Sequence, residues 1–187
     1  MTPKIGIIYS SVDGHTKKIC ETLKNTFEEK NITTELYSIE GFKKDFLQYD
    51  ILVIGASIRY GKHNQKILDF IQNNKGKLKR IKTAFFSVNL VARKPEKSSP
   101  ETNPYFIKFI NQIDWSPDFP EVFAGRLDYQ SYSFFDSLMI KLIMKLTKGP
   151  TKTSGPIEYT DWEKVAAFAS KICEHYKIQK EHQSAVE

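Results

Sequence analysis

Residues 4–16 read Lys-Ile-Gly-Ile-Ile-Tyr-Ser-Ser-Val-Asp-Gly-His-Thr, an apolar run that leads through a turn into a helical pattern. A turn between a strand and a helix offers an anion backbone N–H groups and, in this chain, the hydroxyls of Ser10, Ser11 and Thr16. The turn lacks the Gly-Lys-Ser/Thr ending of triphosphate loops and the triple glycine of dinucleotide folds, so it favours a small mononucleotide. The plainer alternative is that Asp13-Gly14 only reverses the chain.

Length and composition indicate one globular domain. The chain has 187 residues, 40% of them hydrophobic, which is enough for one core and too few for two ordinary domains. Its formal net charge of +6 points to acidic partners. The basic residues are scattered over different predicted elements and form no recognised nucleic-acid motif, so we expect no nucleic-acid partner.

The sequence predicts a cytoplasmic protein without a metal site. The first apolar run is too short for a signal peptide, and no stretch approaches the ~20 apolar residues of a spanning helix. The two cysteines, Cys20 and Cys173, fall on the apolar stripes of predicted helices and have no metal-ligand spacing. We expect both to be buried free thiols.

Apolar runs bounded by turns predict buried parallel strands. They cover residues 5–9, 34–39, 51–56, 84–88 and 122–124. Helical patterns lie between them, and a last helix begins at the capping box of residues 160–163. This alternation predicts a doubly wound α/β sheet with helices on both faces. The domain should span residues 1–179, because the polar composition of residues 180–187 is typical of a disordered tail.

Three loops should meet beyond the carboxyl ends of the strands, where such sheets bind ligands. They are residues 10–16, residues 57–64 and residues 89–103. The sequence therefore predicts a ligand site built from these three loops.

An insertion of unusual length, residues 126–156, separates the fifth strand from the closing helix. It contains an apolar helical stripe, with lysines mainly on the other side; the stripe is Phe134, Phe135, Leu138, Met139, Leu142, Ile143 and Leu146. A helix of this kind suits a membrane surface. Two alternatives stay open, namely packing onto its own domain and binding in the groove of a partner protein.

Four longer motifs carry a family resemblance. They are VIGASIRYG at 53–61, SVNLVARKPEK at 87–97, MIKLIMK at 139–145 and YTDWE at 159–163. On these motifs the chain resembles the menaquinone-dependent protoporphyrinogen IX dehydrogenases, which are flavodoxin-like enzymes. The chain departs from the family pattern in its first loop, where His15 follows Gly14, and over residues 149–157.

The resemblance implies a flavodoxin-like sheet of five parallel strands in the order 2-1-3-4-5. It implies FMN as cofactor and the oxidation of protoporphyrinogen IX to protoporphyrin IX in haem biosynthesis. Electrons would pass to a membrane quinone, either menaquinone or ubiquinone, so the protein would lie peripherally on the inner face of the cell membrane. The oligomeric state stays open, with a homo-oligomer among the options.

The resemblance also assigns residues to the cofactor. The FMN contacts carried over are Ser10, Ser11, Asp13, Gly14, His15, Thr16, Ser57, Ile58, Arg59, Tyr60, Ser87, Val88, Asn89, Leu90 and Val91. The expected membrane contacts are Phe134, Phe135, Leu138, Lys141, Leu142 and Lys145. No catalytic residue is assigned, although His63 in the second loop could serve as a base.

The substrate carries two propionates, so basic side chains should lie near the flavin. The candidates are Arg59, Arg93, Lys94 and Lys97. Arginine offers a bidentate match to a carboxylate, which favours the two arginines. The alternative is that residues 93–97 form a solvated charged turn.

Two other functions compete with this interpretation. One is a soluble electron-transfer flavodoxin, which would accumulate a flavin semiquinone. The other is a flavin-dependent quinone reductase that takes electrons from NAD(P)H.

Overall fold

The computed structural model describes residues 4–130, 134–146, 149–151 and 154–184 of the chain. Within these ranges it describes the side chains of all residues except 134–136 and 177–184.

A parallel sheet forms the centre of the fold. Its main strands are β1 (Lys4–Ser10), β2 (Thr33–Ser38), β3 (Ile51–Arg59), β5 (Lys82–Asn89) and β6 (Phe119–Ala124), which lie in the order β2-β1-β3-β5-β6. The short strand β4 (Lys62–His63) pairs antiparallel with the end of β3. When the five parallel strands alone are numbered, their order is 2-1-3-4-5, so the predicted topology is confirmed.

Helices cover both faces of this sheet. They are α1 (His15–Glu29), α2 (Gln65–Leu78), α3 (Pro104–Ile113) and α5 (Trp162–Ser184). Successive strand residues point to opposite faces, so Ile7 packs in the core under α1 and α5 while Ile8 packs in the core under α2 and α3. Cys20 and Cys173 are buried free thiols in the first of these cores, as predicted.

The insertion begins and ends at a small antiparallel ribbon. Strand β7 (Arg126–Leu127) pairs with strand β8 (Ile157–Glu158), and helix α4 (Phe134–Leu146) lies between them in the chain. The ribbon is joined to the main sheet, because the N–H of Tyr159 donates to the carbonyl of Gly125 at 3.1 Å. Both ends of the insertion are therefore fixed beside the carboxyl end of β6.

Two further observations concern the helices. Among the described residues, no helix is both long and apolar enough to cross a bilayer. Helix α5 continues to Ser184, and residues 185–187 of the predicted tail lie outside the described part of the chain. The segment from residue 180 onward is polar, but its Lys, Gln and Glu residues are good helix formers and favour continuation of α5.

Candidate functional site

A cavity of about 460 Å³ opens at the carboxyl ends of β1, β3 and β5. The three predicted loops meet there. Twelve of the fifteen residues assigned to the cofactor line it, namely Ser11, Asp13, His15, Thr16, Ser57, Ile58, Arg59, Tyr60, Val88, Asn89, Leu90 and Val91. The other three lie behind the wall or at its edge: Ser10 and Ser87 are buried, and Gly14 is the cap of α1.

The first loop offers unused donors. Gly14 adopts a left-handed backbone with φ of 78°, and no side chain caps the N-terminus of α1. The N–H groups of the first helical turn therefore have no side-chain acceptor. The Ser11 hydroxyl oxygen is enclosed and has no hydrogen-bond partner among the described residues. A buried donor set of this kind fits a phosphate.

Arg59 joins the first loop to the second. Its guanidinium holds Asp13 through two contacts, Nη1 to Oδ2 at 3.0 Å and Nη2 to Oδ1 at 3.3 Å. Arg59 thereby neutralises the negative charge of Asp13, which lies beside the hydrogen-bond donors of the first loop. Because the Arg59 side chain is 22% exposed and lines the cavity, it also faces any ligand there.

A tight hairpin presents Tyr60 at the cavity rim. Arg59 and Lys62 are paired across β3 and β4, and the two residues between them, Tyr60 and Gly61, have positive φ angles of 51° and 74°. Positive φ at both central positions is the geometry of a type I′ turn. Tyr60 is 57% exposed, so its ring is available to pack against a planar ligand.

A buried amide network holds the third loop. Asn103 caps α3 by accepting from the N–H groups of Tyr105 and Phe106, both at 3.2 Å, and its Nδ2 donates to Asn89 Oδ1 at 3.2 Å. Asn89 Oδ1 also accepts from the N–H of Ala92 at 3.0 Å. This network fixes the backbone of residues 89–92 at the cavity wall.

The structure places His63 behind the cavity wall. Its ring lies 4.3 Å from the Phe109 ring centroid, and its Nε2 lies 2.8 Å from Ser87 Oγ. Burial lowers the pKa of His63 to about 3, so the imidazole is neutral at physiological pH. His63 does not line the cavity and instead supports the wall from behind.

Of the four predicted docking cations, Arg59 lines the cavity, whereas the other three lie outside its lining. Residues 90–97 coil into two short 3₁₀ turns, which keep Arg93, Lys94 and Lys97 out of the cavity lining. Arg93 donates from Nη1 to the Leu90 carbonyl at 2.7 Å and lies over the Tyr159 ring. It therefore braces the third loop against the base of α5.

The insertion forms a fourth wall that sequence analysis missed. Met139, Ile140 and Ile143 of α4 line the cavity, together with Arg126 and Asp128. Tyr105 and Gly125 complete the lining. One signal was available, because the insertion directly follows the carboxyl end of the fifth strand, which is the ligand-binding edge of such a sheet.

Helix α4 has two different sides. Met144 is fully buried, whereas Leu138, Leu142 and Leu146 are 58%, 51% and 76% exposed at a spacing of four residues. Packing onto its own domain therefore accounts for one side of the helix and leaves an apolar outer stripe. The predicted membrane contacts Phe134 and Phe135 begin α4, but their side chains lie outside the described residues.

His15 links the first loop to the residues that follow the insertion. Its Nε2 lies 2.6 Å from Thr160 Oγ1, and Thr160 donates its hydroxyl hydrogen to the Ala124 carbonyl at 2.7 Å. Nearby, Glu158 accepts from Trp162 Nε1 at 2.6 Å and pairs with Lys18 Nζ at 3.0 Å. Burial lowers the pKa of His15 below its ordinary value, although Glu158 acts in the opposite direction.

The fold and the cavity define the class of protein. A family model described as a flavodoxin domain matches residues 6–154. Among solved structures, rubredoxin:oxygen oxidoreductase from the anaerobe Desulfovibrio gigas superposes with a TM-score of 0.52 over 95% of this chain and 37% of that chain. At 12% identity, this likeness shows the fold alone.

Curated relatives identify the branch of that class. The protoporphyrinogen IX dehydrogenase [quinone] of Escherichia coli K12 is 42% identical over 167 residues, which cover 89% of this chain and 92% of the relative. The Leishmania major enzyme of the same name is 41% identical over 171 residues, which cover 90% of this chain and 74% of that protein. The chain belongs to the protoporphyrinogen IX dehydrogenase [quinone] family of oxidoreductases, within the flavodoxin domain family, and its cofactor class is a flavin.

Proposed function

We propose that this protein uses FMN to oxidise protoporphyrinogen IX to protoporphyrin IX in haem biosynthesis and passes the electrons to a membrane quinone. The observation that carries the proposal is the composition of the cavity. One side offers hydrogen-bond donors for a phosphate, which come from the first loop. Another side is an apolar wall supplied by α4. A cavity of this kind accommodates a flavin nucleotide and leaves an apolar surface for a tetrapyrrole or a quinone ring.

Residues of the three loops fit FMN. The N–H groups of the first turn of α1, with Ser11 and Thr16, would hold the phosphate. The backbone of residues 57–60 and 88–91 would hold the ring system, with Tyr60 and Leu90 available as ring-packing side chains. When bound, FMN supplies the two-electron chemistry that these side chains lack. The chain contributes binding, orientation and exclusion of water.

Arg59 is the residue we assign to a substrate propionate. It lines the cavity, and its planar guanidinium matches a carboxylate. Its partner Asp13 holds it in place from the first loop. Met139, Ile140 and Ile143 form the apolar surface on which the macrocycle would rest.

The outer stripe of α4 is suited to a bilayer, where the quinone is found. Leu138, Leu142 and Leu146 are exposed on the helix whose inner side lines the cavity, and Lys141 and Lys145 are exposed near them. Leucines would enter the lipid while each lysine adds about 1 kcal/mol near an anionic surface. We therefore propose a peripheral location on the inner face of the cell membrane.

An anaerobic assay tests the function. Purified protein with FMN, protoporphyrinogen IX and a quinone analogue should produce porphyrin fluorescence that depends on enzyme and quinone. Fluorescence that is independent of the enzyme contradicts the proposal. Accumulation of semiquinone during reductive titration, with no turnover of protoporphyrinogen, would indicate an electron-transfer flavodoxin instead. Rapid bleaching of bound FMN by NADPH would indicate a quinone reductase.

Two charge-removing variants test the role of Arg59. Arg59→Gln removes a charge-assisted contact and should lower kcat/KM for protoporphyrinogen IX about tenfold. Lys97→Gln makes the same change in net charge outside the cavity lining and should leave kcat/KM unchanged. Equal loss in both variants would show that overall charge, rather than Arg59, attracts the substrate.

A further inference from the structure

We propose that His15 takes up a proton when the FMN phosphate binds, and so supplies the positive side chain that the first loop otherwise lacks. The inference rests on the proposed function, because it requires FMN in the cavity. It concerns His15, the first residue of α1.

The charges of the first loop lead to this inference. Between Ser10 and Thr16 the sequence contains no lysine or arginine, and its acidic residue, Asp13, is already paired with Arg59. A phosphate would thus meet N–H groups and hydroxyls whose formal charge is zero. His15 lies at the first position of α1 and lines the cavity, so it is placed to add a charge.

The hydrogen bonds of His15 determine which nitrogen is free to accept the proton. Thr160 uses its hydroxyl hydrogen on the Ala124 carbonyl, so Thr160 Oγ1 must accept from His15 Nε2. The neutral ring therefore carries its hydrogen on Nε2 and a lone pair on Nδ1. Protonation at Nδ1 leaves the bond to Thr160 intact, so the ring gains charge without losing its position.

The neighbouring charged groups do not replace this function. The titratable groups that face His15 are Glu158 from β8, Lys18 from α1 and Arg126 from β7. Lys18 pairs with Glu158 and lies 4.7 Å from the Trp162 ring centroid. Arg126 pairs with Asp128 at 2.7 Å. Lys18 is thus held outside the cavity lining, and the charge of Arg126, which lines the cavity, is balanced by Asp128, which lines it too.

The direction of the pH dependence follows from linkage. Burial keeps His15 neutral near pH 7 in the free protein, whereas a phosphate dianion at the same site favours the imidazolium. Between the pKa of the free and the bound state, FMN binding takes up one proton. In that window the Kd for FMN rises by up to about tenfold per pH unit as the pH increases.

FMN titrations from pH 6.5 to 8.5, followed by flavin fluorescence, test the inference. This range lies above the second phosphate ionisation, which is near pH ~6. The wild-type Kd should rise at least about tenfold across it. His15→Gln keeps a donor for Thr160 but cannot titrate, so its Kd should be weaker at pH 6.5 and nearly constant. Riboflavin, which lacks the phosphate, should bind with no pH dependence in either protein.

The same pH slope in the wild type and in His15→Gln would overturn the inference. Calorimetry of FMN binding to the wild type in two buffers of different ionisation enthalpy gives the proton count directly, even if the variant fails to fold. We expect uptake of a substantial fraction of one proton near pH 7.5, and zero uptake would also overturn it. FMN binding that is tight but independent of pH contradicts this inference alone, whereas absence of FMN binding at every pH contradicts the proposed function.

Discussion

The loop walls and the insertion wall of the cavity are held in different ways. The loops continue directly from neighbouring strands, and the buried Asn89 and Asn103 amides fix the third of them. The wall formed by α4 is attached through the β7–β8 ribbon and through Met144, which is fully buried. The loops proposed to bind FMN are thus part of the sheet, whereas the surface proposed for substrate and membrane contact is carried by the insertion.

The largest effect should come from the third loop. Asn103→Ala removes a helix cap and the amide contact with Asn89, which should cost about 3 kcal/mol in the free energy of unfolding and weaken FMN binding. Urea denaturation measures the loss. Thr102→Ala, at a neighbouring exposed position, is the control and should cost under about 0.5 kcal/mol. Equal losses would mean that the amide network does not hold this wall.

A cavity-forming substitution under α4 should destabilise the insertion more than the sheet. Met144→Ala leaves a cavity under α4 and should lower the free energy of unfolding by about 2 kcal/mol, because this side chain is fully buried. Hydrogen exchange should accelerate in residues 137–146 and stay unchanged in β3, while FMN affinity changes less than turnover with protoporphyrinogen IX. Faster exchange throughout the sheet would show that the two walls form one cooperative unit.

Acid should destabilise the loop side through His63. The folded pKa is about 3 and the unfolded value is near 6.5, so below pH 6.5 the unfolded chain binds a proton that the folded chain excludes. The contribution of His63 to the free energy of unfolding is therefore full above pH 6.5 and falls by about 2 kcal/mol between pH 6.5 and 5. His63→Gln, which retains a partner for Ser87, should flatten that part of the profile measured by urea denaturation. An unchanged acid slope would contradict the burial of His63.

The smallest effect on folding should come from the outer stripe of α4. Leu142→Glu changes a side chain that is 51% exposed, so stability should change by under about 0.5 kcal/mol. Binding to anionic liposomes should fall about tenfold, because burial of a leucine in lipid is lost. Ile107→Glu, at an exposed apolar position of α3, should leave flotation unchanged. Equal loss in both variants would place the membrane contact elsewhere.

The sequence predicted the parts of the fold that rest on long patterns. Continuous apolar runs predicted the five parallel strands, and the family motifs predicted their order. The strands β4, β7 and β8 were missed because each has two residues, too few to show a period. The position of His63 between aromatic rings also depends on contacts between distant segments.

The sequence predicted much of the cavity lining but not the wall that helix α4 contributes. Loop residues such as Ser11 and Asn89 line the cavity because strand ends place them there. The sequence did not show that the basic side chains of residues 93–97 lie outside the cavity lining, since local 3₁₀ turns decide where they lie. Helix α4 has apolar residues on more than one side, so periodicity alone could not tell its cavity side, with Ile140 and Ile143, from its outer stripe.

The pairing of Leu127 with Ile157 has an evolutionary consequence. Because these two residues close the base of the insertion, everything between them can lengthen, shorten or be exchanged while the strand ends and the phosphate loop keep their places. An enzyme with this sheet could therefore evolve to accept new substrates by exchange of that one segment, while its cofactor loops stay the same.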